Sequence, residues 1–148
     1  MYSNYPNKKI LYKELSYKLN GLLFKTHKEL GRFCRERQYA DFFESLLKDN
    51  NLSYKKEFEI TKFNSISPKG NRVDFFIENA IIVDFKAKSF ITTEDYIQMQ
   101  RYLQSSNIEL GIIVNFRTKY LKPKRVLNYS LYKHKDSEHS YVNSDNSD

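Results

Sequence analysis

The stretch RVDFFIENAIIVDFKAK, Arg72 to Lys88, constrains the chain more than any other. It reads as two apolar strands around a short turn, with Asp74, Asp84 and Lys86 set inside the strands. Successive strand residues point to opposite faces, so Ile81, Val83, Phe85 and Ala87 share one face, and Ile82, Asp84, Lys86 and Lys88 the other. In the first strand, Val73, Phe75 and Ile77 stand opposite Arg72, Asp74 and Phe76. The pattern predicts a hairpin with one core face and one face that holds polar chemistry.

Register decides whether the carboxylates meet. A two-residue turn, Glu78-Asn79, would set Asp74 across from Val83 and send Asp84 to the other side. A three-residue connection, Glu78-Asn79-Ala80, pairs Ile77 with Ile81, Phe76 with Ile82 and Asp74 with Asp84. Asparagine tolerates the left-handed backbone such a turn requires, so this odd register, or an equivalent bulge, is predicted. Two carboxylates directly opposite repel and need a compensating cation. Mg²⁺ suits them, since it takes oxygen ligands, often one or two carboxylates, and leaves the rest to water and phosphate. Lys86 on the same face could then orient a water, assist its deprotonation, or stabilise charge on a phosphate. The plainer alternative is a solvated sheet face where Asp74 and Asp84 pair with Arg72, Lys86 and Lys88.

Around the hairpin the chain reads as one α/β domain. Leu11, Leu15, Leu19, Leu22 and Leu23 recur at helical spacing up to about Leu30, with Gly31 as the stop. Tyr39, Phe42, Phe43, Leu46 and Leu47 form the stripe of a second helix that ends at Asp49-Asn50-Asn51. SYKKEFEITKF is a strand exposed on one side, and Asn64 to Asn71 a turn region with Pro68 and Gly70. Thr92-Thr93-Glu94-Asp95 reads as a helix N-terminus, with a threonine cap and early acidic residues, leading into a helix through about Gln104; LGIIVNF is a buried strand, and Lys124 to Asn128 an edge strand.

The charge points to a polyanionic partner. Of 148 residues, 25 are Lys or Arg and 18 Asp or Glu, a net charge of +7. From 131 to 148, Lys133 and Lys135 against Asp136, Glu138, Asp145 and Asp148 leave a polar tail at −2 and the rest of the chain at +9. That composition predicts disorder in the tail. One cysteine, Cys34, permits no intrachain disulfide, and no Cys/His spacing matches a zinc site. With no apolar leader and no stretch long enough to span a bilayer, a soluble cytoplasmic protein without a membrane partner is expected.

Asp74 followed by Asp84-Phe85-Lys86 resembles the PD-(D/E)XK nuclease superfamily, in the branch of GxxExxY proteins. The segment THKELGRFCRERQYADFFE, Thr26 to Glu44, is similar to that branch's opening, with His27 to Gly31, Glu36 and Tyr39 matching, and with Phe33 in place of the motif's first glycine. Gln98 and Tyr102 resemble a QxxxY motif, LGIIVNF the closing strand and RVLN its end. The branch usually has Glu where this chain has Asp84.

The resemblance, over about residues 10 to 128, implies a restriction-endonuclease-like core, a mixed sheet of four or five strands flanked by helices, with residues 1–130 as one domain. It implies Asp74, Asp84 and Glu36 as metal ligands, the Phe85 carbonyl as a further one, and Lys86 as the catalytic lysine. Gln98 and Tyr102 would position active-site groups or the strand. The implied cofactor is Mg²⁺, with Mn²⁺ as a substitute, and the implied substrate is nucleic acid, DNA favoured over RNA. Arg32, Arg35, Arg37, Lys88 and Arg101 flank these motifs as candidate phosphate contacts. From a different class comes a catalytically silent nucleic-acid-binding or accessory protein on the same fold, which Phe33 and Asp84 favour. A protein-interaction module with a Tyr-rich surface is a third class.

Overall fold

The structure of the protein, a computed structural model, describes residues 8–59 and 72–131. The turn expected at Asn64 to Asn71 and the acidic tail from 132 onward lie outside the described residues. The elements run α1 (Lys8–Leu30), α2 (Glu36–Asp49), β1 (Tyr54–Glu59), β2 (Arg72–Ile77), β3 (Ile81–Lys86), α3 (Thr93–Ser106), β4 (Leu110–Asn115) and β5 (Lys124–Leu127). The strands form one five-stranded sheet in the order β1-β2-β3-β4-β5. Only β3 and β4 pair in parallel, joined through α3, and the other neighbours are antiparallel. This is the mixed sheet of an α/β domain that the resemblance implies.

The helices form because each has an apolar stripe to bury. Leu15, Leu19 and Leu23 of α1 are spaced four apart and fully enclosed. Gly31, at φ +77°, ends the helix in the left-handed region that favours glycine, and its N–H donates to the His27 carbonyl. In α2, Tyr39, Phe43, Leu46 and Leu47 are buried. At the start of α3, Thr92 Oγ1 accepts from the Asp95 N–H while Asp95 Oδ2 accepts from the Thr92 N–H at 2.8 Å, a reciprocal cap. Helices α1 and α2 cover one face of the sheet through Phe75, Ile81, Val83 and Val114. Helix α3 covers the other through Ile82, Ile113 and Val126.

This second layer corrects the expectation that one face of the hairpin would be left to polar groups. Strand β3 is central and its parallel crossover lays α3 over the far face, so Ile82 is as buried as Ile81. Asp84 and Lys86 therefore emerge at the end of a covered face, near the carboxyl ends of the parallel pair.

The predicted odd register is present: Ile77 pairs with Ile81, Phe76 with Ile82 and Phe75 with Val83. Glu78 and Asn79 both take left-handed φ values, 55° and 50°, and the Ala80 N–H donates to Ile77 O at 2.9 Å. The ladder stops there, however, and Asp74 and Asp84 are not a ladder pair. On the other side of β2, Glu57 sits at φ 52° and drops out of the ladder opposite Asp74. The strands change faces at this point. Val73, expected beside Phe75, packs instead with Ile82 under α3.

Aromatic packing fixes Phe85 in the first layer. Its ring lies 5.3 Å from Phe43, 5.5 Å from Phe75 and 4.9 Å from Phe116. Tyr39 stacks on Phe116 at 4.1 Å, and its hydroxyl donates to Gly31 O at 2.6 Å while accepting from the Cys34 N–H. Tyr39 thus ties the α1–α2 loop to the core and sets where α2 begins. Tyr39→Phe should leave those two loop groups short of a partner and lower stability by about 1–3 kcal/mol in urea unfolding.

Candidate active site

Beyond the Phe75–Val83 pair the two strands part, which frees the Phe85 N–H from the ladder. Asp74 Oδ2 accepts it at 2.6 Å. That bond turns the Asp74 carboxyl toward β3 and into hydrogen-bonding contact with Asp84. Asp84, on β3, is itself only 8% exposed. Lys86 Nζ lies 3.0 Å from Asp84 Oδ2 and 3.9 Å from Asp95 Oδ1. Glu36, the first residue of α2, reaches the same place from the other layer and contacts the Ala87 backbone N–H. Tyr102 of α3 lies within the field of both aspartates, with Gln98 hydrogen-bonded to it.

The electrostatics follow from burial and crowding. Burial, the neighbouring Asp84 and, more weakly, Glu36 push the Asp74 carboxyl up to about 8, against the pull of the Phe85 N–H. Glu36 is raised by partial enclosure and by Asp84, with Lys86 and the Ala87 N–H opposing. Burial works against the Lys86 ammonium, yet Asp84, Asp95 and Glu36 outweigh it and hold its pKa above the ordinary lysine value. Burial and the two aspartates push the Tyr102 phenol up to about 12, so it is neutral and carries its proton at physiological pH.

All six candidate catalytic residues, Glu36, Asp74, Asp84, Lys86, Gln98 and Tyr102, are brought to one place. The expected phosphate contacts divide. Arg37 lines a cleft of about 490 Å³ that Glu36 and Asp74 share with Asp41, Lys56 and Glu57. Arg35 precedes α2, where its N–H donates to Gln38 Oε1. Arg32 donates from Nε to Arg117 O, and Arg101 stands exposed on α3. Lys88, expected on the strand, lies past its end and is ion-paired with Asp95 Oδ2.

Sequence reasoning missed Asp95 as a partner of both lysines, because its place among the early acidic residues of a helix already explained it. It also missed Asn115, whose side chain accepts from the Lys88 N–H and donates to Lys88 O, pinning the loop after Lys86. A polar residue inside the apolar run LGIIVNF was the available signal, and Asn115 is indeed buried. His27 Nε2 lies 2.9 Å from Thr118 O, in the loop after β4.

Residues 13–126 match the PD-(D/E)XK nuclease superfamily. The chain belongs to this superfamily. No curated protein and no solved structure shows a significant match to it. Proteins of the PD-(D/E)XK superfamily typically use divalent metals, and the donors present here are suited to one. Two carboxyls are drawn together away from water, and the raised pKa of Asp74 is one that added positive charge would lower. Among the described residues, no group of three or more His, Cys, Asp or Glu is arranged to hold a metal ion, so Glu36 does not close a cage with the aspartates in this arrangement. Two carboxylates are nonetheless a sufficient protein share for Mg²⁺.

A carboxyl whose folded pKa lies above its unfolded value contributes stability that is complete below about pH 4 and lost as pH rises toward about 8. Without metal, the melting temperature of the wild type relative to Asp74→Asn should therefore fall across that window. A constant difference between pH 4 and pH 8 would show that Asp74 is not the proton carrier.

Proposed function

We propose that the protein is a Mg²⁺-dependent nuclease that hydrolyses phosphodiester bonds of nucleic acid, DNA in preference to RNA, with Mn²⁺ able to replace Mg²⁺. The observation that carries this reading is the meeting of Asp74 and Asp84 beside the ammonium of Lys86, at the end of a covered strand. Asp74 and Asp84 hold the ion, with Glu36 in support. A divalent ion there supplies charge to polarise a phosphate and to make a water more acidic.

The residues around it divide the remaining work. Lys86 is protonated and cannot serve as a base in this arrangement; its ammonium stabilises negative charge as it develops on the phosphate. Glu36, raised above the usual carboxylate range and standing at the cleft, is the better group to accept a proton from the attacking water. Tyr102 and Gln98 offer neutral hydrogen-bond donors from α3. Asp95 shares Lys86 with Asp84 and keeps the ammonium turned toward the site.

We further place the chain in the GxxExxY branch, on Glu36 and Tyr39 at that motif's spacing and on the His27 to Gly31 stretch before them. Its domain is taken as residues 1–130, followed by the tail, in a cytoplasmic protein. Among the described residues no helix is long and apolar enough to cross a membrane.

A second reading, a nucleic-acid-binding protein without catalysis, draws on one observation: the Asp84 charge is already met by Lys86. Cleavage of circular and linear DNA and of RNA separates the two. Under the nuclease reading, Mg²⁺-dependent cutting disappears with chelator and falls roughly 10²- to 10³-fold in Lys86→Ala, with the fold retained. Asp74→Asn should be at least as damaging, because it removes a ligand. Cutting by Lys86→Ala at the wild-type rate would sink the assignment.

A further inference from the structure

Three large aromatic side chains stand exposed on the loops that border the site. Phe33 lies in the α1–α2 loop, three residues before Glu36, and is 77% exposed. Phe90 lies in the β3–α3 loop, just past Lys88, at 69% exposure, and Tyr120 in the β4–β5 loop at 71%. None of them serves the core, and leaving so much aromatic surface in water has no stabilising role in the fold.

The three are linked. The guanidinium groups of Arg32 and Arg117 lie 5.0 Å and 5.9 Å from the centre of the Phe33 ring. The same two arginines cross-brace the loops, each Nε donating to the other's carbonyl at 2.9 Å. Arg117 lies three residues before Tyr120, over which Lys119 sits at 5.5 Å. Tyr120 and Phe90 then line one hollow of about 230 Å³ together with Tyr96, Asn115, Lys122 and Lys124. Asn115 leads back to the site, since it pins Lys88 two residues beyond Lys86.

We propose that this strip is a platform for single-stranded nucleic acid, with unpaired bases stacking on Phe33 and Tyr120 while the arginines and lysines meet the phosphates. Exposed aromatic faces flanked by cations accept any base, because every base has a π face. A duplex hides those faces in its own stack, so the platform favours a single strand. Its placement beside Asp84 and Lys86 gives it use as a guide for the strand to be cut, and to that extent it rests on the nuclease reading. The binding itself does not.

The chain contains no tryptophan, so Phe33→Trp introduces a single indole at the platform. In chelator, where no cutting occurs, oligodeoxythymidine should quench its fluorescence to saturation, and a blunt duplex of the same length should not. By anisotropy of labelled oligodeoxythymidine, Phe33→Ala and Phe33→Leu should each bind at least about fivefold more weakly than the wild type, the low end for loss of one base stack. Their melting temperatures should match the wild type, as expected of an exposed side chain. Absence of quenching, equal quenching by the duplex, or wild-type affinity in Phe33→Leu would overturn the proposal. Quenching in a protein that cuts nothing keeps the platform and removes the nuclease reading. Cutting without quenching does the reverse.

Discussion

Phe85 is held from two sides, and the site depends on both. Its ring is locked among Phe43, Phe75 and Phe116, and its backbone N–H, released where β2 leaves β3, is taken by Asp74. The ring fixes which way the strand faces, so Asp84 and Lys86 must flank it on the α3 side. The N–H fixes the Asp74 carboxyl at Asp84. One residue thereby converts core packing into the placement of two acids and a lysine.

That placement has an electrostatic cost. Asp74 and Asp84 approach closely in a place burial has made poor for charge, which raises the Asp74 pKa, while Lys86 pairs with Asp84. Asp95 extends this arrangement to α3 by joining Lys86 and Lys88, so the helix that covers Ile82 also steadies the ammonium. Both layers of the fold contribute, since Glu36 arrives from α2 and Tyr102 from α3.

Much of this was legible in the sequence because strand alternation and register are matters of counting. The Glu78-Asn79-Ala80 connection could be settled by asking which turn lets Asp74 and Asp84 share a side, and the observed pairing of Ile77 with Ile81 agrees. The end of the ladder beyond Phe75 was not legible, and neither was the left-handed Glu57 opposite Asp74 on the neighbouring strand. Nor was the burial of Ile82, which follows from the parallel pairing of β3 with β4 rather than from any local pattern. Asp95 and Asn115 escaped notice for the same reason: each satisfies a local rule, as a cap or as part of a strand, while its second partner lies on another element.

The central claim is that Asp74 and Asp84 together form a cation site, and direct titration of the metal-free protein with Mn²⁺ in a calorimeter tests it most simply. Saturable binding to the wild type, weakened at least about tenfold in both Asp74→Asn and Asp84→Asn while each stays folded, is the predicted result. Wild-type affinity in either variant, or no binding by a folded wild type, would contradict it.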